Sequence, residues 1–220
     1  MDAIECIKTR RSIRKFKPEP VPKEKLLELF DIAKWSPSYK NSQPWEAVIV
    51  SGKKKEELSK MLIELLERGE EFCPDLPAPK SWPEKEASRI ESMLKKRSEE
   101  TGMDLNSPEV MIKAKKANFK FYGAPHAIYL FQEASLSEWS LFDMGLFAQS
   151  LMLAANSMGI GTVPQAFPTD YAKDIKKFLS IPDSKRLVLA MSVGYPDMES
   201  PANALRTDRA STDEIVRFID

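Results

Sequence analysis

The chain has 220 residues, 42% of them hydrophobic, enough for one large domain or two small ones and for a sizeable core without disulfide staples. Lys+Arg and Asp+Glu each total 33, so the formal net charge is zero and the basic excess of a nucleic-acid binder is missing. One histidine, His126, and two widely separated cysteines, Cys6 and Cys73, argue against Ser-His-Asp and Cys-His hydrolases, multi-histidine metal enzymes and zinc-thiolate sites.

Ile4 and Ile7 give a short helical face at the start. There follows Arg10-Arg11-Ser12-Ile13-Arg14-Lys15-Phe16, with four cations and a hydroxyl in seven residues. If this stretch is extended, Arg10, Ser12 and Arg14 point to one side and offer a phosphate two guanidinium forks and a hydroxyl. A solvated basic turn accounts for the same residues, and the local pattern does not separate the two. Pro22 opens a helix carrying Leu26, Leu27, Phe30, Ile32 and Ala33, which ends near Trp35. The stretch 36–45 holds Pro37, Ser38, Asn41, Gln43 and Pro44 and reads as an ordered loop. Asn41 and Gln43 carry both donors and acceptors, which suits a ring edge alternating C=O and N–H; a plain helix-to-strand connection is the alternative.

A strand at 45–50 leads to an amphipathic helix at 53–67, stopped by Gly69. Residues 69–83 contain Pro74, Pro77, Pro79 and Pro83 with Phe72 and Trp82, the composition of a long ordered excursion or lid. A charged helix at 84–101 has Ile90, Met93 and Leu94 as its apolar edge; a turn at 102–108 and a second helix at 110–121 follow. His126 enters a buried strand at 127–131, where a structural role is expected. The segment 137–158 is the clearest helix, apolar nearly all round, which suits a core or subunit-interface position. Gly159 and Gly161 turn into a short strand. The third glycine of a dinucleotide fingerprint would fall at Pro164, and the segment follows a helix, so that reading fails. Thr169 or Asp170 is expected to cap a helix running to Leu179. The run 186–194 reads as a fully buried strand, and the tail carries Asn203, Arg206 and Arg209 before a final strand at 215–219. The longest apolar runs, such as 187–191, are far too short to span a bilayer, and the N-terminus has no signal-like apolar segment. A cytoplasmic protein with no membrane or nucleic-acid partner is expected.

Four stretches together resemble the nitroreductase family of FMN-dependent oxidoreductases: 10–16; Ser36-Pro37-Ser38 with Asn41, Gln43, Pro44 and Trp45; Met158-Gly159-Ile160-Gly161-Thr162 with Pro164; and Asn203 with Arg206 and Arg209. Ala117 to Phe121 with Ala124-Pro125 is similar to members associated with nitroaromatic reduction. The resemblance implies an α+β fold with a mixed central sheet flanked by helices, in an intertwined homodimer with FMN at the subunit interface. It implies a single domain over 1–220 in which Arg10 and Arg209, helped by Arg206, hold the FMN phosphate and Arg11 is a further cofactor-binding residue. Ser12 and Arg14 would lie toward the ribityl chain and the N1–C2=O edge. Pro37, Ser38, Asn41 and Gln43 would come from the partner subunit; Pro164, Gln165 and Ala166 would back the ring, and Asn118 would contact it. Residues 69–118 would cover the substrate side. NAD(P)H would supply electrons, and a small aromatic acceptor, a nitroaromatic or a quinone, would receive them in a ping-pong cycle. A reductive dehalogenase, a flavin-processing enzyme of the same fold, or a non-catalytic flavin-binding module are the alternatives.

Overall fold

Alternation along the central strands sends apolar side chains to both faces, so both faces need cover, and helices supply it. The computed structural model describes residues 1–105 and 107–219. Strands β1 (Glu46–Ser51), β2 (His126–Glu133), β3 (Gly161–Gln165) and β4 (Lys185–Gly194) form one sheet in the order β1-β2-β4-β3. All three neighbouring pairs are antiparallel, with a register shift in β2–β4 between Leu130 and Phe131. The parallel component expected of a mixed sheet is a single bridge, Ser12 to Thr162, outside the named strands.

The helices are α1 (Ala3–Thr9), α2 (Lys23–Ala33), α3 (Gly52–Glu67), α4 (Glu84–Thr101), α5 (Pro108–Phe119), α6 (Glu138–Ser157), α7 (Ala172–Leu179) and α8 (Thr212–Ile215). Ala127, Tyr129 and Phe131 point to one face of the sheet and share a core with Leu58 and Leu62 of α3, Phe119 of α5 and Ile175 of α7. Ile128 and Leu130 point to the other and pack with Leu29 of α2 and Phe147 and Leu151 of α6. The second core explains why α6 is apolar on most sides, although Trp139 and Phe142 near its start remain exposed. No helix among the described residues is long and apolar enough to cross a membrane.

Several boundaries and faces differ from expectation for local reasons. In α2 the buried residues are Leu26, Leu29 and Ala33, while Leu27 and Ile32 are exposed, because the core follows the i, i+3, i+7 stripe. Helix α5 starts at Pro108 because Ser107 caps it, its Oγ accepting from the Val110 N–H at 3.2 Å. Within the turn expected at 102–108, Gly102 takes the left-handed φ of 65° that ends α4, and Asn106 lies outside the described residues. Neither Thr169 nor Asp170 caps α7. The Thr169 hydroxyl donates instead to the Ala166 carbonyl within a 3-10 turn, and Tyr171 occupies the cap position. The strand expected at 215–219 does not form. Ser211 and Glu214 make a capping box that nucleates α8, and 216–219 have no regular structure. His126 is structural: its Nε2 accepts from the Val21 N–H at 3.0 Å and its Nδ1 lies 2.6 Å from the Ser51 hydroxyl. Burial holds its pKa below the ordinary histidine value, with the nearby Lys55 charge acting the same way.

The basic stretch runs along the ends of β3 and β4. Ile13 N–H donates to the Thr162 carbonyl (2.9 Å), Lys17 N–H to Tyr195 (2.9 Å), and Asp197 N–H to Lys15 (3.1 Å). Asn203, almost fully buried, fastens the C-terminal segment to it. Its Oδ1 accepts from the Arg14 N–H at 2.7 Å, and its Nδ2 donates to the carbonyls of Lys15 and Asp197, each at 2.8 Å. One amide thus satisfies three backbone groups and ties together segments nearly 190 residues apart.

Asn203→Ala leaves those three groups without their partner and is expected to cost about 2 kcal/mol, read as a lower urea midpoint at unchanged m-value. Gly194→Ala tests the packing at the same end of the sheet. A Cβ there would sit 2.6 Å from Pro125 Cδ and 3.1 Å from Phe16 Cδ1, so overpacking of roughly 1–3 kcal/mol should lower the thermal midpoint.

Candidate functional site

Two adjoining cavities open where the basic stretch, the C-terminal tail and the 69–118 segment meet, and Arg14 and Arg97 line both. The first, of about 450 Å³, is walled by Arg10, Arg11, Ser12, Arg14, Arg206 and Arg209, with Lys8 and Arg97 completing its cations. Guanidiniums from both chain ends therefore converge on one space. Among the described residues no Asp or Glu lines it, and none of their ion pairs involves these arginines. Arg10, Ser12 and Arg14 share this cavity as the extended reading requires, and Ile13 between them is buried in the core. Arg11 departs from strict alternation: it lines the cavity too, with Nη2 at 3.3 Å from the Met198 sulfur.

The electrostatics of this cluster are unfavourable as it stands. Burial first, and Arg209 second, push the Arg10 pKa down; burial and Arg206 do the same to Arg11. Arg97 is lowered by burial and then by Arg14, with Tyr122 acting weakly the other way. Like charges held together in a partly desolvated space are relieved by an anion, and guanidinium forks match the oxygens of a phosphate.

The second cavity, of about 380 Å³, is largely apolar. Val163, Pro164, Gln165 and Ala166 supply the wall from β3 and the residue after it. Helix α5 supplies Val110, Lys113, Ala114, Ala117 and Asn118, the i, i+3, i+4, i+7, i+8 positions of one face. Gln165 is fully committed on its donor side: its Nε2 donates to the Asn118 carbonyl (3.1 Å) and to Asn118 Oδ1 (3.0 Å), while its Oε1 accepts from the Ser192 hydroxyl. Asn118 in turn donates from Nδ2 to the Ala114 carbonyl at 2.9 Å. These amides brace α5 against β3, which leaves the backbone at 164–166 as the polar surface of that wall.

Pro37, Ser38, Asn41 and Gln43 line neither cavity. They form an outward-facing loop held in an unusual conformation: Lys40, Asn41 and Gln43 have φ of 53°, 56° and 45°. Non-glycine residues in the left-handed region cost on the order of 1 kcal/mol each and persist only where the surroundings impose them. Here the Tyr39 N–H donates to both oxygens of buried Asp143 at 3.1 Å, and the Gln43 N–H donates to Ser38 Oγ at 3.0 Å. Exposed Trp35 and Tyr39 flank and begin this loop, and Tyr39 stacks on exposed Trp139 of α6 at 6.2 Å.

Arg97 and Lys113 are the site residues that the sequence reading passed over. Arg97 continues the Ile90, Met93, Leu94 stripe at i+7, so a cation on the apolar edge of α4 was the available signal. Lys113 sits on the small-residue face of α5 with Ala114 and Ala117. Helix α4 is moored to the tail by exposed ion pairs, Arg89 to Glu214 and Lys96 to Asp208, both at 3.0 Å.

Nitroreductase NfnB of Mycolicibacterium smegmatis is 30% identical over 98% of this chain and 92% of its own length. A 4-nitrobenzoate reductase of Pseudomonas putida is 31% identical over 99% and 95%. The crystal structure of the FMN-dependent nitroreductase NfnB from Mycobacterium smegmatis, in complex with NADPH, superposes with a TM-score of 0.94 at 30% identity, covering 99% of this chain and 98% of that one. The sequence also matches the nitroreductase family description over residues 7–195, which spans the basic stretch, the amide loop and the wall at 164–166. On these grounds, and on the cavity pair they frame, the chain belongs to the nitroreductase family.

Proposed function

We propose that this protein is an FMN-dependent oxidoreductase that takes electrons from NAD(P)H and passes them to nitroaromatic or quinone-type acceptors. The carrying observation is the convergence of Arg10, Arg11, Arg206 and Arg209 on a cavity whose wall, among the described residues, holds no carboxylate. Such a cavity fits a phosphate monoester, and the apolar cavity adjoining it fits the flat ring attached to one. The names of the relatives, nitroreductase and 4-nitrobenzoate reductase, support nitroaromatics as acceptors.

When bound, the flavin supplies the redox chemistry, accepting hydride from a nicotinamide and yielding an electron pair to the acceptor. The residues of this chain bind, orient and polarise. Arg10, Arg11, Arg206 and Arg209 would hold the phosphate, and Ser12 would lie along the chain between phosphate and ring. Arg14 stands where the cavities join, and its fixed charge would favour the anionic reduced state. Asn118, Pro164, Gln165 and Ala166 would wall the ring. Among the described residues no histidine or cysteine lines either cavity, and in this reading the protons come from solvent. Reduction of a nitro group to nitroso takes two electrons and two protons and releases water. Donor and acceptor occupy the same apolar space in turn, which gives ping-pong kinetics, and residues 69–118 act as its cover.

The active form in this reading is a homodimer. Pro37, Ser38, Asn41 and Gln43 face away from the cavities of their own chain in a strained, braced loop. A loop held in that way suits insertion into the site of a twin subunit.

Purified protein should be yellow, and NADPH or NADH should bleach it under anaerobic conditions. Arg10→Ala and Arg14→Ala should each weaken FMN retention at least about tenfold, by loss of a charge-assisted contact, with the far-ultraviolet circular dichroism unchanged. A colourless protein that FMN cannot reconstitute would remove the reading.

A further inference from the structure

We propose that the acceptor reduced at this site carries a carboxylate, and that Lys113 and Arg97 receive it. This rests on the flavin reading of the cavities. Among the described residues the apolar cavity has three cations in its wall, Arg14, Arg97 and Lys113, and no Asp or Glu. The phosphate of a flavin mononucleotide brings at most two negative charges, and Arg10, Arg11, Arg206 and Arg209 already meet them in the neighbouring cavity. Arg14 answers the charge that reduction places on the ring. Once the nicotinamide donor and its phosphates have left, Arg97 and Lys113 remain without a counter-charge, and no ion pair among the described residues includes either.

Their positions favour a small aromatic anion. Both belong to the α4–α5 segment and not to the sheet, so they sit on the part of the wall proposed to cover the substrate side. Lys113 is exposed and lines only the apolar cavity, whereas Arg97 is half-buried and lines both. The rest of that wall, with Met103, Leu105, Val110 and Phe167, suits the ring of an acceptor and offers little to a neutral polar substituent. A ring that stacks among those side chains and carries one carboxylate satisfies both halves of the lining. Burial beside Arg14 holds the Arg97 pKa below its ordinary value, so an anion there relieves a strain already present.

The test uses FMN-loaded enzyme and two acceptors of similar shape and different charge, 4-nitrobenzoate and the neutral 4-nitrobenzamide. The wild-type protein should show roughly tenfold higher kcat/KM for the carboxylate at low salt, falling as salt is added. Lys113→Gln and Arg97→Gln should each reduce that ratio several-fold through KM for the carboxylate, Lys113→Arg should keep it, and Lys113→Glu should reverse it. A merely structural role for Lys113 does not predict reversal. The NADPH to NADH ratio for bleaching the flavin should be the same in all Lys113 variants. Equal kcat/KM for the two acceptors in a yellow enzyme that NADPH bleaches would overturn the proposal. So would a Lys113→Glu change that selectively slows NADPH against NADH, since that would assign the cation to the dinucleotide phosphate. A protein that holds no flavin at all fails earlier, at the flavin reading, and is recognised by its missing absorbance.

Discussion

Concentrated positive charge without matching negative charge is the constraint around which this molecule is arranged. A protein of zero formal net charge has, among the described residues, gathered six arginines around one cavity and left carboxylates out of its wall. Each of Arg10, Arg11 and Arg97 is destabilised both by burial and by another guanidinium. Such a cluster lowers stability by itself and persists where a bound anion compensates it, because folding stability and ligand affinity are linked. The acidic residues are elsewhere: Glu214 and Asp208 moor α4 to the tail, and Glu46 and Glu133 flank Lys185 on the sheet. Charge balance is therefore global and not local, which is why net charge says nothing of the anion site.

Bringing the two chain ends together depends on the sheet more than on the arginines. Residues 12–17 hydrogen-bond along the ends of β3 and β4, and the turn after β4 returns the chain beside them. Gly161 and Gly194 allow this approach: a Cβ at Gly161 would meet Ile13 at 2.9 Å, and one at Gly194 would meet Pro125 and Phe16. Asn203 then fixes the tail at the height of Arg14. Repulsion among the guanidiniums is opposed by neutral backbone hydrogen bonds and by packing, neither of which is screened by salt. Geometry and charge at the site are thus set by separate parts of the sequence.

Periodicity read the long elements well because each has a buried face large enough to dominate its pattern. Strands β1, β2 and β4 and helices α3, α4 and α6 lie within a residue or two of their expected bounds. Short ends were harder. The capping box of Ser211 and Glu214 outweighed the apolar residues 215–219, and Leu29 outweighed Leu27 in α2, since the sheet and α6 decide which stripe is inward. At the candidate site, the arginines were legible as types but not as neighbours; only the tertiary path of the tail puts Arg206 and Arg209 beside Arg10. Arg97 escaped because a charged helix hides one more arginine, although its place on the apolar stripe marked it. Gln165 was legible by position, but its amide turned out to brace Asn118.

The loop at 38–43 shows how an outward-facing segment can be as tightly specified as a core. Lys40 and Gln43 occupy a backbone region that neither residue favours, and few apolar contacts hold them there. What holds them is Asp143, buried on α6, whose two oxygens both accept from the Tyr39 N–H, and Ser38, whose hydroxyl receives Gln43. A buried carboxylate is costly unless its hydrogen bonds are made, so Asp143 and the loop impose order on each other. Helix α6 carries the second core on one side and this brace on another, and packing of the core thereby sets the conformation in which Asn41 and Gln43 are displayed. A pre-ordered amide loop loses little entropy on docking, and that is the physical reason a strained loop can serve recognition better than a relaxed one.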